Sequence, residues 1–202
     1  MSSEVKANKL SPATGTDVVL GDSGDTFTIP SGGTITNSGT ATGFGEDNTP
    51  AFSAYMSTAA TTILTATETK IALNAEEFDS DGAFDSTTNY RFTVPAGEGG
   101  KYLFSAGISY GTSFAGNVTI EGAELRLKKN GAIIASNVFT YNNDTAINWQ
   151  IFFSNGTWLL DLSAADYVEL YGYIVSGYAN PTYIGHATTH KTWLSGFKLA
   201  GV

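Results

Sequence analysis

A strict alternation of apolar side chains in residues 101–109 is the feature that most constrains the fold of this chain. Tyr102, Phe104, Ala106 and Ile108 occupy every second position. Successive side chains of a β-strand point to opposite faces, whereas an amphipathic helix repeats about every 3.6 residues. The segment is therefore predicted to be a strand with one buried face. Helical periodicity is weak in the rest of the chain.

Two Asn-Gly pairs predict tight hairpin turns. Asn130-Gly131 and Asn155-Gly156 each lie between two short apolar runs. Asn and Gly tolerate the positive φ angles that a two-residue type I′ turn requires at both central positions. We therefore expect each pair to join two antiparallel strands.

Ten candidate strands predict an all-β domain over residues 50–202. They fall at 51–56, 69–73, 90–94, 101–109, 123–128, 132–136, 148–153, 157–161, 167–174 and 192–199. Short strands separated by turn signals are typical of a sandwich or jelly roll. Residues 163–165 are predicted to form a loop or a single turn, and no helical crossover of an α/β sheet is visible.

Residues 1–49 are rich in Gly, Ser and Thr and form a separate segment. Short alternating pieces closed by turn residues occur within 26–42. One such strand buries too little apolar area to offset its ordering entropy, so three chains would have to pool Phe27, Ile29 and Ile35 on a shared axis. A fibrous stalk or attachment segment is one interpretation, and a flexible linker is the other.

Charge and composition narrow the classes of function. Charged residues make up 14% of the chain, the net charge is -9, and only ten residues are Lys or Arg. No basic stripe is available to neutralise phosphates, which argues against nucleic-acid binding, and the acidic balance argues against docking on an anionic membrane. No apolar stretch is long enough for membrane insertion. Cys is absent, so disulfide and thiolate chemistry are excluded.

Residues 1–10 contain no apolar run of the kind found in secretory signals. We therefore expect synthesis in a cytoplasm without export by the usual route. The composition nevertheless resembles that of extracellular display proteins. A virion component that is made in a host cytoplasm and released by lysis satisfies both expectations.

An ordered series of short motifs runs through residues 50–202. The motifs are Pro50-Ala51-Phe52-Ser53-Ala54, Asn74, Phe84-Asp85, Arg91-Phe92-Thr93-Val94-Pro95, Gly100-x-Tyr102-x-Phe104, Lys129-Asn130-Gly131, Leu160-x-Leu162, Ala165-Asp166-x-Val168 and Ser195-Gly196-Phe197-x-Leu199. The series resembles the globular head of the complement first-component q family, which shares its fold with the tumour necrosis factor family. Ala165 replaces the Gly of the family's Gly-Asp pair, and no collagen-like stalk precedes the head.

This resemblance implies a ten-stranded jelly-roll head that forms a homotrimer. The aromatic content also exceeds what the interior of one sandwich needs, and an aromatic-rich sheet can pack around a closed three-fold axis. The candidates for the core or the trimer interface are Tyr102, Phe104, Tyr171, Tyr173 and Phe197.

Residues 20–30 resemble bacteriophage tail-fibre sequences. Together the two resemblances imply an N-terminal segment that contacts other virion proteins and a head that recognises a host-surface glycan or protein. The loop of residues 177–186 combines aromatic, amide and imidazole groups that suit such contacts. The predicted ligand contacts are Tyr178, Asn180, Tyr183 and His186. A structural loop that covers the end of the trimer is the alternative.

Acidic residues cluster between positions 76 and 85. Asp79-x-Asp81-Gly82 begins like a calcium loop, but Ala83 occupies the next ligand position and breaks the motif. Some heads of the resembled family hold calcium near the trimer axis, so the resemblance allows a calcium site with Asp79, Asp81 and Asp85 as ligands. A solvated acidic loop is the alternative. No other cofactor is indicated.

No nucleophile motif and no phosphate-binding loop are visible, so we do not expect an enzyme. Three functions stay open at this point, in order of preference. The chain is a host-binding fibre head, a purely structural virion or capsid decoration protein, or a polysaccharide depolymerase that uses carboxylates of the acidic cluster.

Overall fold

The computed structural model describes residues 11–12, 14–19, 21–36, 38, 48–58, 61–112, 120–140, 151–176, 181–183, 185 and 188–200. The chain divides into two units, Met1–Phe44 and Gly45–Val202, and we call the second unit the head. The described residues form strands, turns and bends without a helix, which confirms the all-β prediction. Accordingly, this part of the chain offers no helix with the length and apolar character needed to cross a membrane.

Thirteen strands follow one another along the described part of the head. They are β1 (Ala51–Tyr55), β2 (Thr61–Thr62), β3 (Thr69–Lys70), β4 (Ala75–Asp79), β5 (Phe84–Asp85), β6 (Arg91–Thr93), β7 (Gly100–Thr112), β8 (Ile120–Lys129), β9 (Ala132–Thr140), β10 (Ile151–Leu162), β11 (Tyr167–Ser176), β12 (Pro181–Tyr183) and β13 (Trp193–Lys198).

These strands pair antiparallel in two sheets. The first sheet has the order β4–β1–β13–β7–β10, with β12 beside the far end of β7 and β2 beyond β12. The second sheet has the order β5–β6–β11–β8–β9, and β3 also pairs with β11. The chain crosses between the sheets after β2, β3, β4, β6, β7, β9, β10 and β11, which is the connectivity of a jelly roll rather than of a meander.

The predicted alternation along β7 is confirmed. Tyr102, Phe104, Ala106 and Ile108 are completely buried, and Tyr110 continues the same row. Each large apolar side chain stabilises the fold by roughly 1.5–3 kcal/mol when it is fully buried. The row therefore fixes which face of the first sheet meets the second sheet.

Aromatic rings from four strands meet at the centre of the core. The Phe52 ring stacks on Phe92 and Phe84 with centroid distances of 4.9 and 5.0 Å, and Phe92 meets Phe104 edge-on at 5.7 Å. These are the offset and edge geometries that aromatic pairs prefer. Farther along β7, the Tyr110 hydroxyl donates a 2.7 Å hydrogen bond to the Glu124 carbonyl.

The hairpin predicted at Asn130-Gly131 is confirmed between β8 and β9. Asn130 and Gly131 have φ angles of 51° and 82°. The Asn130 side chain also accepts the Tyr167 N–H at 2.9 Å and donates to the Asp166 carboxylate at 2.7 Å. The turn is therefore held against the start of β11.

The hairpin predicted at Asn155-Gly156 is wrong. Strand β10 runs straight through this pair, because Asn155 and Gly156 lie opposite Gly107 and Ala106 of β7 and neither has a positive φ. Pairing with β7 along the whole of β10 outweighs the local turn preference. Glycine is needed at position 156 for a different reason, since a Cβ there would lie 2.4 Å from the Trp158 ring.

The described part of the first unit contains tight turns and no strand. One turn closes with the Asp25 N–H and another with the Gly33 N–H, each bonded to a carbonyl three residues earlier. The predicted stalk residues Phe27, Ile29 and Ile35 are 66%, 39% and 54% exposed in the single chain. Their burial between three chains stays a prediction.

Two of the three carboxylates predicted as calcium ligands, those of Asp79 and Asp85, accept hydrogen bonds from the backbone of their own loop. Asp79 accepts the N–H groups of Asp81 and Phe84 at 3.3 and 2.8 Å. Asp85 accepts the N–H groups of residues 87, 88 and 89 at 2.9–3.0 Å. No cluster of three or more His, Asp or Glu side chains that could hold a metal ion occurs in the described ranges. A calcium site at this loop stays a prediction.

The two Asn-Gly pairs provide a matched test of the turn assignment. We expect Asn130→Ala to lower the free energy of unfolding by about 1–3 kcal/mol, because it removes two side-chain hydrogen bonds and strains a positive φ. Asn155→Ala is the control and should cost under about 0.5 kcal/mol, since its exposed side chain serves no turn. Urea denaturation measures both. Equal losses would contradict the assignment.

The Asp85 loop makes stability depend on pH. Backbone N–H groups of Thr88 and Thr87 hold the pKa of the Asp85 carboxyl well below its usual range. A depressed folded-state pKa stabilises the protein above the unfolded value of about 3.9, and this contribution is lost as the pH falls further.

We therefore expect Asp85→Ala to lower the melting temperature near neutral pH. Its difference from the unmodified chain should narrow once the pH falls below about 4. Circular dichroism melts across this range measure the effect, and Glu76→Ala, which alters an exposed carboxylate on β4, is the control. A difference that stays constant with pH would contradict the assigned role of Asp85.

Candidate functional site

A row of hydroxyl side chains crosses the outward face of the first sheet. Strand register aligns Ser53 with Ser195, Ser195 with Ser105, and Ser105 with Thr157. The Ser195 hydroxyl donates to Ser53 at 2.9 Å, and the hydroxyls of Ser105 and Thr157 lie 3.0 Å apart. The row spans β1, β13, β7 and β10, and its hydroxyl groups form hydrogen-bonded pairs across neighbouring strands.

Uncharged rows flank the hydroxyl row on both sides. Register aligns Ala51, Phe197, Leu103 and Leu159 on one side and Tyr55, Trp193, Gly107 and Asn155 on the other. Phe78 of β4 lies opposite Ser53. We call the surface formed by these three rows and Phe78 the uncharged face. The charged pair Lys101 and Asp161 lies one row farther out.

The small side chains of the hydroxyl row leave a depression in the uncharged face. Its volume is about 510 Å³, and Phe78, Leu103 and Phe197 form its apolar walls. Phe78 and Leu159 are 53% and 67% exposed in the single chain. Large exposed apolar side chains grouped around a depression are typical of an interaction surface.

Gly107 brings two aromatic rings together on the same side of the sheet. A Cβ at this position would lie 2.7 Å from the Phe153 ring and 2.8 Å from Trp193 Nε1. The absence of a side chain lets both rings close over the strand. Phe153 is 46% exposed, so the apolar surface continues along the edge strand β10.

The outward face of the second sheet has the opposite character. Cations lie over three tyrosine rings of β11, at 4.2–4.6 Å from the ring centroids: Arg91 over Tyr167, Lys128 over Tyr171 and Arg126 over Tyr173. Carboxylates neutralise several of the head's cations, as in the 2.7 Å pair between Arg126 and Glu68 and the 2.5 Å pair between Lys70 and Glu169. Paired charges on a sheet face are typical of contact with water.

The structure separates the five aromatic residues that were predicted for the core or the trimer interface. Tyr102 and Phe104 are completely buried between the sheets and are core residues. Tyr171 and Tyr173 lie half-buried on the charged face of the second sheet. Phe197 is the member of the set that lies on the uncharged face.

The predicted ligand contacts Tyr178, Asn180 and His186 lie outside the described residues. The structure corrects the fourth prediction, because Tyr183 is buried. Its ring packs 5.5 Å from the Tyr110 ring, and burial raises the pKa of its hydroxyl. Tyr183 is therefore a packing residue of the core.

The hydroxyl row was not predicted from the sequence. Ser53, Ser105, Thr157 and Ser195 are ordinary polar positions between apolar ones when each strand is read alone. Strand order and register bring them into one line. The sequence contained one indirect signal for this face. After Lys101, the outward positions of residues 101–109 carry no charged side chain.

No protein-family model matches this sequence, and no curated protein matches it. Solved structures do resemble the head. Eiger TNF from S. frugiperda aligns at 12% identity with a TM-score of 0.50, over 75% of this chain and 92% of that chain. Murine APRIL aligns at 10% identity and a TM-score of 0.50, over 74% of this chain and 99% of that chain.

The globular domain of the zebrafish complement 1qA protein also aligns, at 17% identity and a TM-score of 0.46, over 74% of this chain and 96% of that chain. The similarity to Eiger TNF and murine APRIL concerns the fold alone, since the identities are low. The chain therefore has the jelly-roll fold of tumour necrosis factor-like domains, as its ordered motifs predicted.

Proposed function

We propose that this chain is a bacteriophage virion fibre or appendage protein whose head forms a homotrimer and recognises a host-surface glycan or protein. The uncharged face is the observation that carries the homotrimer. The resemblance of residues 20–30 to tail-fibre sequences supports attachment to other virion proteins. No catalytic step is part of the proposed function.

A second and a third copy of the head are the partners that suit the uncharged face. Removing water from a face of this kind costs little free energy, because its hydroxyl groups are already hydrogen-bonded to one another. Its depression of about 510 Å³ can receive an apolar side chain, and Leu159 projects from the neighbouring edge strand β10. Closed cyclic symmetry then leaves no copy of the face exposed.

The charge distribution agrees with this arrangement. The hydroxyl row and the row of Ala51, Phe197, Leu103 and Leu159 contain no ionisable side chain, and His190, 3.7 Å from Glu77, stacks on Tyr55 of the third row. Burying the outward face of the second sheet would desolvate several ion pairs. In the proposed trimer the second sheet therefore faces water.

A trimer also repeats one weak host-binding site three times, which raises the avidity for a host surface.

Two leucines that are equally exposed in the single chain test the trimer contact. Leu159 lies on the uncharged face and is 67% exposed, and Leu64 lies in a loop and is 65% exposed. We expect Leu159→Glu to dissociate the protein into monomers, because the new carboxylate would be buried without a partner. Leu64→Glu should leave the assembly intact.

Light scattering after size-exclusion chromatography measures the outcome. The unmodified chain and the Leu64→Glu variant should each have three times the 21.2 kDa mass of one chain, and Leu159→Glu should have the monomer mass. A monomeric unmodified chain, or a Leu159→Glu variant that remains trimeric, would contradict the proposal.

Host recognition needs a separate test. We expect the fluorescently labelled full chain to bind cells of a susceptible bacterial host, and the Leu159→Glu monomer to bind at least about 100-fold more weakly because avidity is lost. A trimer that binds no host and labels only the capsid or tail of the phage would favour the structural decoration alternative over host recognition.

A further inference from the structure

A groove lies on the outward face of the second sheet, where β8 begins and β9 and β11 end. Its volume is about 350 Å³, and Val138, Tyr173 and Val175 contribute apolar walls. Gly122 lies between Thr140 and Val175 in the register of the three strands. Gly122 therefore leaves a gap between the side chains of Thr140 and Val175, and this gap forms the groove.

A β-bulge places a carboxylate at this groove. Val175 pairs with Gly122, whereas Ser176 pairs with Ile120, so Glu121 is the extra residue of β8. A bulge redirects the side chain of the extra residue. Glu121 is exposed and lines the groove. Among the residues that the structure describes, no Lys or Arg forms an ion pair with Glu121.

The neighbouring rows of this face show what the groove lacks. Arg126 lies 4.6 Å from the centroid of the Tyr173 ring and donates a 2.6 Å hydrogen bond to Glu124. Lys128 lies 4.2 Å from the centroid of the Tyr171 ring. Beyond these pairs the groove offers the apolar side chains of Val138 and Val175 and the next carboxylate along β8, Glu121. Arg126 serves Tyr173 and Glu124, and no Lys or Arg of the described residues pairs with Glu121.

We propose that the groove binds an arginine or lysine side chain of a host-surface protein, with Glu121 as the partner of its cationic head. Arginine fits best, because its guanidinium pairs with a carboxylate through two hydrogen bonds while its apolar stem lies on the groove walls. The net charge of -9 also favours approach of a basic surface.

This inference rests on the proposed host recognition and selects a protein over a glycan as the partner. It concerns the second sheet, which faces water in the proposed trimer. The groove and the trimer contact therefore lie on different faces of the head and can be tested independently.

The test is an NMR titration of the isotope-labelled full chain with N-acetyl-arginine amide. N-acetyl-citrulline amide has nearly the same shape without the charge and is the matched control probe. We expect arginine amide to shift the backbone amide signals of Gly122, Val138 and Val175. Citrulline amide should bind about tenfold more weakly, because it cannot form a charge-assisted hydrogen bond.

Three variants locate the site. Glu121→Gln should weaken arginine amide binding about tenfold, and Glu76→Gln, an exposed carboxylate of the first sheet, should leave it unchanged. Gly122→Val should abolish binding by filling the groove. A Cβ at Gly122 would lie 3.3 Å from the Phe139 carbonyl oxygen, so its fold is checked by circular dichroism.

Each outcome decides the inference. Shifts confined to the groove and weakened by Glu121→Gln support it. Absence of shifts, equal shifts with citrulline amide, or shifts that Glu121→Gln leaves unchanged overturn it. The titration needs neither the trimer nor a host, so its failure leaves the homotrimer standing. A chain that is monomeric yet binds arginine amide would overturn the trimer alone.

Discussion

Alternation along β7 is the constraint on which both surfaces of the first sheet depend. Its inward side chains, including Tyr102 and Phe104, fill the core against the second sheet. Its outward side chains, including Leu103 and Ser105, join the uncharged face. Because a register slip of one residue would exchange the two sets, the pairing of β7 with its neighbours specifies the core and the uncharged face together.

The two outward faces of the sandwich then acquire different roles. The first sheet presents paired hydroxyls and apolar side chains, whose burial costs little free energy. The second presents cations held over tyrosine rings and beside carboxylates, which favour water. Under the proposed function, the first face contacts other copies of the head and the second stays available to a host molecule.

Local patterns predicted the elements whose structure is decided locally. The β7 alternation and the Asn130-Gly131 turn follow from side-chain period and backbone preference, and the motif series predicted the jelly roll. The Asn155-Gly156 turn failed because β7 pairs through it, and short strands such as β4 exist only through pairing with neighbours. The hydroxyl row and the Glu121 bulge likewise require register, which no single segment of sequence contains.

Hydroxyl-radical footprinting of the unmodified chain tests burial of the uncharged face, because it measures side-chain exposure in the assembled protein. Phe78 and Leu159 lie on the uncharged face, whereas Leu64 and Val138 lie elsewhere, and all four are more than half exposed in the single chain. If copies of the head bury the uncharged face, Phe78 and Leu159 are protected while Leu64 and Val138 are oxidised. Oxidation of all four in proportion to their single-chain exposure would contradict burial of the uncharged face.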